Sequence, residues 1–298
     1  MNFGTSGPFP LADEYFQAVQ RPADVVYDFR GEDLTSTDRA PRATPLFPLC
    51  ETSHVAELAG FEDAIVIPNL WSQEECEAMI RTAETEGIIP PAKAAFTLRT
   101  AKRTDNYQNP SWSDTVADRI RDHLSAYYAK HAETEDDKYY GSFRSVHANW
   151  RIVRYDAGDT FPAHQDQMDS MQLMDPMTGR KDFVISTHTL LCQLSPNPPE
   201  YLGGATRFYP RTKVAGKSPG QYDFAVDVRL PQGWALVFPQ LGMVHAGQPV
   251  LAEDDGKSKY IAQAGILRTL PPTKLIKPSV FRLGPGLREL ALSLTAIS

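Results

Sequence analysis

The spacing of apolar positions along the chain changes near residue 146. Over about 72–132 apolar residues recur at helical intervals, whereas after residue 146 they form short segments separated by glycine and proline. Helical spacing followed by many short apolar segments is typical of an α+β fold, and the second half suits two packed sheets. We therefore expect a jelly-roll core over about 146–270, flanked by N-terminal helices over about 72–132.

The first predicted helix begins after Trp71. Ser72 and Glu75 have the spacing of a capping box, and Gly87 provides a stop. The positions between them carry an apolar stripe at helical spacing: Cys76, Met79, Ile80 and Ala83.

A second helix is predicted to begin with Ser113 as its N-cap residue. Its apolar side would carry Val116, Ile120, Leu124, Tyr127 and Tyr128. The acidic run over 133–137 should end it and form a solvated loop.

Five segments have the length and composition of strands. They are Ala148–Tyr155, Ile185–Leu194, Ala205–Tyr209, Trp234–Pro239 and Lys259–Leu267. Residues 1–58 lack a sustained apolar period and are predicted to form an irregular arm, which leaves 59–298 as one catalytic domain.

Composition narrows the choice of partners. A net charge of −7 and a pI near 5.5 give no general attraction to nucleic acid or to an anionic membrane surface. No apolar run approaches the roughly 20 residues of a membrane helix, and the first residues lack a secretory signal. The three scattered cysteines indicate neither a disulfide framework nor a zinc ribbon. We expect a soluble cytoplasmic protein with a small-molecule partner.

Candidate chemistry begins with His164 and Asp166. Two residues apart on an extended chain, they lie on the same side and suit one metal ion. His245 follows an apolar strand and precedes a Gly/Pro turn, and a jelly roll places it opposite the first pair. Two imidazoles and one carboxylate leave three positions of an octahedral ion open, which is the ligand set of non-haem Fe(II) oxygenases.

The open positions suit a 2-oxo acid, which chelates through its carboxylate and keto oxygens, and O₂. The far carboxylate of such a co-substrate needs a cation. Lys259 begins a strand downstream of His245 and is the first candidate, with Lys257 as the second.

Six ordered motifs cover the segment from Ile65 to Leu267: Tyr155-x-x-Gly158, His164-x-Asp166, Gly203-Gly204-x-Thr206-x-Phe208, Pro231-x-Gly233-x-Ala235-x-x-Phe238, His245-x-Gly247-x-Pro249-Val250 and Lys259-Tyr260. Together they resemble the prolyl-4-hydroxylase-like branch of the Fe(II)/2-oxoglutarate oxygenases. The resemblance implies a double-stranded β-helix. It also implies that Tyr155 and Thr189 help to anchor 2-oxoglutarate and that Lys259 forms a salt bridge to its far carboxylate. Related halogenases carry Gly or Ala where Asp166 stands, so this residue favours C–H oxidation without halogenation.

Strand alternation selects the candidate substrate residues. Asn149 and Arg151 share a face with Tyr155, and Gln263 faces inward on the strand that Lys259 begins. An inward arginine suits a substrate carboxylate, although an internal salt bridge is an equal alternative. Arg103 lies in the region that usually borders the site in this family, with a solvated loop as the alternative.

A methionine-rich segment and two further histidines complete the candidate features. Met168, Met171, Met174 and Met177 recur every third residue and suit either a lid or an amphipathic turn packed on the core. His147 and His188 lack spaced partners and are predicted to be structural.

The resulting function is oxidation of an unactivated C–H bond, by hydroxylation, desaturation or ring closure, coupled to decarboxylation of 2-oxoglutarate to succinate. The expected substrate is a small, carboxylate-bearing, amino-acid-derived metabolite. The alternatives are hydroxylation of prolyl or other residues in a peptide or protein, a cupin-like enzyme without a 2-oxo acid, and a non-catalytic jelly-roll binding protein.

Overall fold

The structure is a computed structural model, and it describes residues 23, 25–28, 44–45, 58–59, 64–90, 99–104, 107–131, 141–174, 179–196, 202–209, 211–212, 225–251 and 258–269. Most of the arm predicted over 1–58 lies outside these residues, as do the acidic run at 133–137, Met177 and Lys257.

Helix α1 spans Gln73–Glu86 and forms as predicted. The Ser72 hydroxyl accepts a hydrogen bond from the Glu75 amide at 3.3 Å, and the Glu75 carboxylate accepts one from the Ser72 amide at 2.8 Å. The helix ends at Gly87, whose φ of 97° favours glycine. The predicted stripe supplies the buried side chains Cys76, Met79 and Ala83.

Helix α2 spans Pro110–His131 and starts about one turn before Ser113, so the predicted start was wrong. The Asn109 side chain accepts a hydrogen bond from the Trp112 amide at 3.0 Å and takes the capping role, while proline suits the first helical position. Ser113 is buried instead, and its hydroxyl accepts a hydrogen bond from Trp150 Nε1 at 2.9 Å.

The inward side of α2 is apolar as expected, with Val116, Ile120 and Leu124 fully buried. The side chains of Tyr127 and Tyr128 lie outside the described ones. Neither helix in the described ranges contains a stretch that is both long and apolar enough to span a membrane.

Of the two main sheets in the described part of the chain, the larger has ten strands, all paired antiparallel. In spatial order its main path is β2 (Thr44–Pro45), β4 (Ile65–Ile67), β16 (Ala235–Pro239), β11 (Lys181–Gln193), β19 (Lys259–Thr269), β8 (Asn149–Tyr155) and β5 (Lys102–Arg103). Three further strands pair with β11, β8 and β19 respectively: β10 (Ser170–Met174), β6 (Tyr107–Gln108) and β7 (Phe143–Val146).

The smaller sheet has five strands, antiparallel except for its first pair. Their order is β1 (Val25–Asp28), β15 (Val226–Arg229), β13 (Thr206–Phe208), β17 (His245–Gly247) and β9 (Phe161–His164). Two short pairs complete the described strands: β12 (Leu202–Gly203) with β18 (Val250–Leu251), and β14 (Arg211–Thr212) with β3 (Leu58–Ala59).

All five predicted strands form, with shifts at their ends; β11 is extended to begin at Lys181. The strands that sequence analysis missed are mostly too short for alternation to show. The methionine segment also forms a strand, β10, rather than an amphipathic turn. Its alternation leaves Met171 partly buried and Met174 63% exposed.

The two faces of the larger sheet pack against different partners. Trp150 and Ile152 of β8 join α1 and α2 in one apolar cluster. Val153 and Tyr155 of the same strand face the smaller sheet and contribute, with Phe208, to a second cluster. This arrangement confirms an α+β protein of mainly antiparallel sheet with few helices, and it matches the predicted alternation along β8.

Trp71, just before α1, makes a close backbone contact with the turn that precedes β16. The Gly233 carbonyl accepts a hydrogen bond from the Trp71 amide at 3.0 Å. Gly233 has a φ of 80°, and a Cβ there would lie 2.1 Å from the Trp71 carbonyl oxygen. Both the backbone conformation and the space therefore require glycine.

We expect Gly233→Ala to lower the free energy of unfolding by about 2 to 5 kcal/mol, from left-handed strain plus overpacking. Gly158→Ala is the matched control because Gly158 has a φ of 81° and open space around its Cβ direction. It should lose only about 1 to 2 kcal/mol. Urea unfolding measures both, and equal losses would show that the contact with Trp71 is unimportant.

Candidate active site

His164 and His245 are brought together by strand pairing. His164 ends β9, His245 begins β17, and the two residues are directly opposite each other in the antiparallel ladder. Asp166 follows two residues after the end of β9. The three side chains present ligand atoms that all lie within 4.8 Å of one another, so the predicted triad forms.

The orientation of both imidazoles suits metal binding. Nδ1 of His164 lies 2.7 Å from the Pro162 carbonyl, and Nδ1 of His245 lies 3.4 Å from the Met243 carbonyl. Donation from Nδ1 leaves a lone pair on each Nε2, and these atoms lie 3.6 and 3.7 Å from the Asp166 carboxylate oxygens. Nε2 of His164 is buried and makes no hydrogen bond within the described part of the chain. A metal ion about 2.0 to 2.2 Å from each Nε2 atom and from the Asp166 carboxylate fits between these three side chains.

The protonation states also suit a metal. Burial, with a smaller contribution from the charge of His164, lowers the pKa of His245 to about 4, so His245 is neutral at pH 7. Burial raises the pKa of Asp166. The positive charge that His245 and His164 carry when protonated, together with the hydrogen bond from Thr189, outweighs burial and holds that pKa below its usual range. A neutral imidazole and an ionised carboxylate are the forms that bind a metal.

Two neighbouring strands hold the Asp166 carboxylate. Thr189 Oγ1 on β11 donates a hydrogen bond to Oδ2 at 2.5 Å, and Gln263 Nε2 on β19 donates to the same oxygen at 3.0 Å. With Oδ2 engaged twice, Oδ1 is the oxygen left for a metal. Thr189 was predicted to anchor 2-oxoglutarate and Gln263 to bind substrate, but the contact that the structure gives both is with Asp166.

Aromatic rings surround the two imidazoles. The Phe161 ring stacks on His164 with centroids 3.8 Å apart, and the Phe238 ring meets His245 edge-on at 4.7 Å. Phe208 lies 5.9 Å from His245 on the same cluster. These contacts fix the imidazole planes and keep water away from one side of the site.

One cavity is lined by the two histidines and by two of the three predicted co-substrate residues, Tyr155 and Lys259. Its polar lining consists of His164, His245, Tyr155, Thr206, Lys259 and Gln263. Tyr155 and Lys259 are opposite each other on β8 and β19, and the Lys259 ammonium lies 5.6 Å from the centroid of the Tyr155 ring.

Lys259 is buried, and its ammonium donates a hydrogen bond to the Gly204 carbonyl. Burial lowers the pKa of Lys259 to about 8, with a further contribution from the charge of Arg229. Thr206 faces the same cavity and had no assigned role. Its position in the Gly203-Gly204-x-Thr206 motif is the feature of the sequence that could have identified it as a cavity residue.

The predicted substrate residues occupy different places. Arg151 lies opposite Gln263 on β8 and β19, and Arg103 lies opposite Val153 on β5 and β8. Asn149 pairs with Gln108 at the start of β8. Of the four predicted substrate residues, only Gln263 lines the cavity. Among described residues no carboxylate forms an ion pair with Arg151, so the alternative of an internal salt bridge finds no partner there.

His147 and His188, the two histidines predicted to be structural, contact groups outside the metal site. His147 Nδ1 accepts a hydrogen bond from the Asn149 amide at 2.9 Å. His188 is buried beside Thr187, and burial lowers its pKa to about 3.

Comparison with known proteins yields no matching family model and no matching curated protein. Among solved structures the chain is similar to a viral collagen prolyl hydroxylase from Paramecium Bursaria Chlorella virus-1 in complex with 2OG, with 19% identity, 70% of this chain and 97% of that chain covered, and a TM-score of 0.41. It is also similar to a prolyl-4-hydroxylase of Pseudomonas putida, at 14% identity, 71% and 94% coverage and a TM-score of 0.39. HygX of Streptomyces hygroscopicus, with nickel and 2-oxoglutarate bound, matches at 15% identity, 74% and 85% coverage and a TM-score of 0.42. At these values the function of this chain has to be inferred from its own side chains.

The contact between Thr189 and Asp166 predicts a metal-binding phenotype. Thr189→Val keeps the shape and removes the hydroxyl donor, and we expect metal affinity to fall by about 10- to 100-fold. Thr187→Val, on the same strand, removes a hydroxyl that contacts His188 instead and should leave metal affinity unchanged. Anaerobic Fe(II) titration compares the variants. Equal affinities of Thr189→Val and the unmodified protein would contradict an orienting role.

Proposed function

We propose that this protein is an Fe(II)- and 2-oxoglutarate-dependent dioxygenase with a jelly-roll core. It oxidises an unactivated C–H bond of a small, carboxylate-bearing, amino-acid-derived metabolite. The observation that carries the proposal is that a single cavity contains both histidines of a His/Asp/His metal site and a buried lysine.

The metal would be held by Nε2 of His164, Nε2 of His245 and Oδ1 of Asp166. This set of two imidazoles and one carboxylate is that of non-haem Fe(II) sites with open positions. Thr189 and Gln263 keep the carboxylate in one orientation, and the Pro162 and Met243 carbonyls do the same for the imidazoles. When iron and 2-oxoglutarate are bound with O₂, they supply the oxidising chemistry, in which 2-oxoglutarate is decarboxylated to succinate and a C–H bond is oxidised.

Lys259 would bind the far carboxylate of 2-oxoglutarate. An ammonium has three donors, and the hydrogen bond to the Gly204 carbonyl uses one of them. The hydroxyls of Tyr155 and Thr206 line the same cavity and add donors for that carboxylate. A buried ammonium without a carboxylate partner is costly, and a bound dicarboxylate removes that cost.

The apolar part of the lining favours C–H oxidation. Val153, Leu191 and Ile261 line the cavity together with Phe161. They exclude water from the space beside the metal and leave room for an apolar carbon of the substrate. Arg151, on the same face of β8 as Val153, would bind the substrate carboxylate.

Anaerobic visible absorption tests the function. The apo protein titrated with Fe(II) and then with 2-oxoglutarate should develop a weak charge-transfer band that needs both. We expect His164→Ala and Lys259→Ala to abolish the band while circular dichroism shows an intact fold. Metal binding without a band would favour a cupin-like enzyme, and absence of metal binding would favour a non-catalytic binding protein.

Turnover tests the reaction type. Small carboxylates derived from amino acids are screened for stimulated release of CO₂ from 2-oxoglutarate, and the products are analysed by mass spectrometry. A gain of one oxygen identifies hydroxylation, and a loss of two hydrogens identifies desaturation or ring closure. Stimulation by prolyl peptides alone would contradict the small-molecule assignment.

The lowered pKa of Lys259 predicts how 2-oxoglutarate binding depends on pH. The ammonium loses its proton as pH rises through about 8, so affinity should weaken by about tenfold for each pH unit well above this value. Lys259→Arg should flatten the profile because a guanidinium stays charged. Lys257→Ala tests the second candidate cation and should leave affinity and profile unchanged. A pH-independent affinity in the unmodified protein would contradict a role for the Lys259 ammonium.

A further inference from the structure

The last residue of β8 and the first residue of β19 lie together at one end of the cavity. Tyr155 is opposite Lys259 there, and both side chains line the cavity. They are also the final pair that the two strands make at this end of their ladder. The ends of strands open more readily than their middles. A buried ammonium at a strand end therefore needs further contacts to stay in one position.

Asp156, the residue after β8, receives hydrogen bonds from three neighbouring segments. Its Oδ1 atom accepts one from Arg154 Nε of β8 at 2.7 Å and one from the hydroxyl of Ser258, the residue before β19. Its Oδ2 atom accepts one from the Lys102 ammonium of β5. The carboxylate thus joins β5 and β8 to the residue that immediately precedes Lys259.

The same hydrogen bonds keep Asp156 ionised. Burial raises the pKa of Asp156, but the hydrogen bonds from Arg154, Lys102 and Ser258 outweigh burial and hold that pKa below its usual range. Hydrogen bonds that involve an ionised group are about twice as strong as those between neutral groups. The contact between Asp156 and Ser258 is therefore a strong one for a residue at the end of a strand.

Both chain neighbours of Lys259 are held by side chains. Ser258 is bound by Asp156, and its carbonyl accepts a hydrogen bond from the Ser195 hydroxyl at 3.3 Å. The Ser195 hydroxyl accepts a hydrogen bond from the amide of Tyr260 on the other side. With both neighbours fixed, the backbone of Lys259 has one orientation, and its side chain enters the cavity from a defined point.

The turn that follows Asp156 also supports the partner of the buried ammonium. The Gly158 amide in this turn donates a hydrogen bond to the Val250 carbonyl at 2.8 Å, and the Gly204 amide donates one to the Pro249 carbonyl at 2.8 Å. The Gly204 carbonyl accepts the hydrogen bond of the lysine ammonium. Two adjacent residues therefore connect the turn with the backbone that orients the ammonium.

We propose that Asp156 is a positioning residue for 2-oxoglutarate: it binds Ser258 so that the adjacent Lys259 ammonium meets the far carboxylate of the co-substrate. Asp156 does not itself line the cavity. The proposal rests on the proposed function and deepens it, because it names a residue that sets the preference for a 2-oxo acid with a second carboxylate. Pyruvate has the same chelating carboxylate and keto oxygens but no second carboxylate, so its binding does not depend on Lys259.

The affinities of the Fe(II)-loaded full chain for 2-oxoglutarate and pyruvate test the proposal, measured by anaerobic titration. We expect Asp156→Ala and Ser258→Ala each to weaken 2-oxoglutarate binding by about tenfold, with unchanged affinities for pyruvate and Fe(II). The double variant should bind 2-oxoglutarate like Asp156→Ala alone, since both residues act through one hydrogen bond. Ser258→Thr keeps the hydroxyl and should keep the affinity of the unmodified protein.

Asp182→Ala is the matched control. Asp182 forms an ion pair with Arg144 at 3.5 Å, and its side chain is 28% exposed, close to the 29% of Asp156. Loss of this ion pair should leave the preference for 2-oxoglutarate unchanged, and circular dichroism confirms the folding of each variant. Equal loss of preference in Asp182→Ala and Asp156→Ala would overturn the proposal. Equal weakening of 2-oxoglutarate and pyruvate in Asp156→Ala would overturn it too.

Titration of Lys259 separates this proposal from the oxygenase function, because it needs neither iron nor 2-oxoglutarate. Nuclear magnetic resonance of the lysine side chains, assigned with Lys259→Arg, follows the pKa that burial lowers to about 8. Ser258→Ala should raise this pKa toward the ordinary lysine value of about 10.4, since a displaced ammonium gains contact with water. An unchanged pKa would overturn the role of Asp156 even if the iron band forms. A raised pKa without an iron band would refute the oxygenase function and leave the positioning of Lys259 standing.

Discussion

The register between β9 and β17 is the constraint on which the site depends. It sets His164 opposite His245, and a slip of one residue would turn one imidazole to the other face of the sheet. The apolar cluster between the two sheets holds this register, because Phe208 and Phe238 pack around His245. Packing between the two sheets therefore helps to determine how the two imidazoles lie relative to each other.

Buried charge is the second organising feature. Asp166 and Lys259 both lie where an ionised group is costly, and each is stabilised in a different way. Asp166 is stabilised by the histidines and by donors from β11 and β19. Lys259 has one carbonyl partner and a lowered pKa, which suits a residue that receives an anion from solution. The described contacts thus satisfy the Asp166 carboxylate, whereas the Lys259 ammonium keeps donors that bind 2-oxoglutarate in the proposed function.

The two sheets supply different residues of the candidate site. The smaller sheet supplies both histidines, whereas the larger one supplies Lys259, Tyr155 and Arg151 along two adjacent strands. Because β8 and β19 run past the metal site, the proposed function gives them a co-substrate end at Lys259 and a substrate end at Arg151. The opposite face of the same strands packs on α1 and α2, so the helical cluster keeps this axis rigid.

The sequence by itself determined the features that depend on local pattern. The capping box of α1, the alternation along β8 and β19, the His164-x-Asp166 pair and the inward position of Arg151 were all predicted, because spacing of two or of three to four residues fixes which side chains share a face. Only the tertiary structure decided the rest. Asn109 replaced Ser113 as the cap of α2, Thr189 and Gln263 proved to hold Asp166, and Arg99 proved to lie over the Phe161 ring. These contacts join residues that are distant along the chain, or depend on a cap one turn away, and strands as short as β9 and β17 leave no alternation from which their register could be deduced.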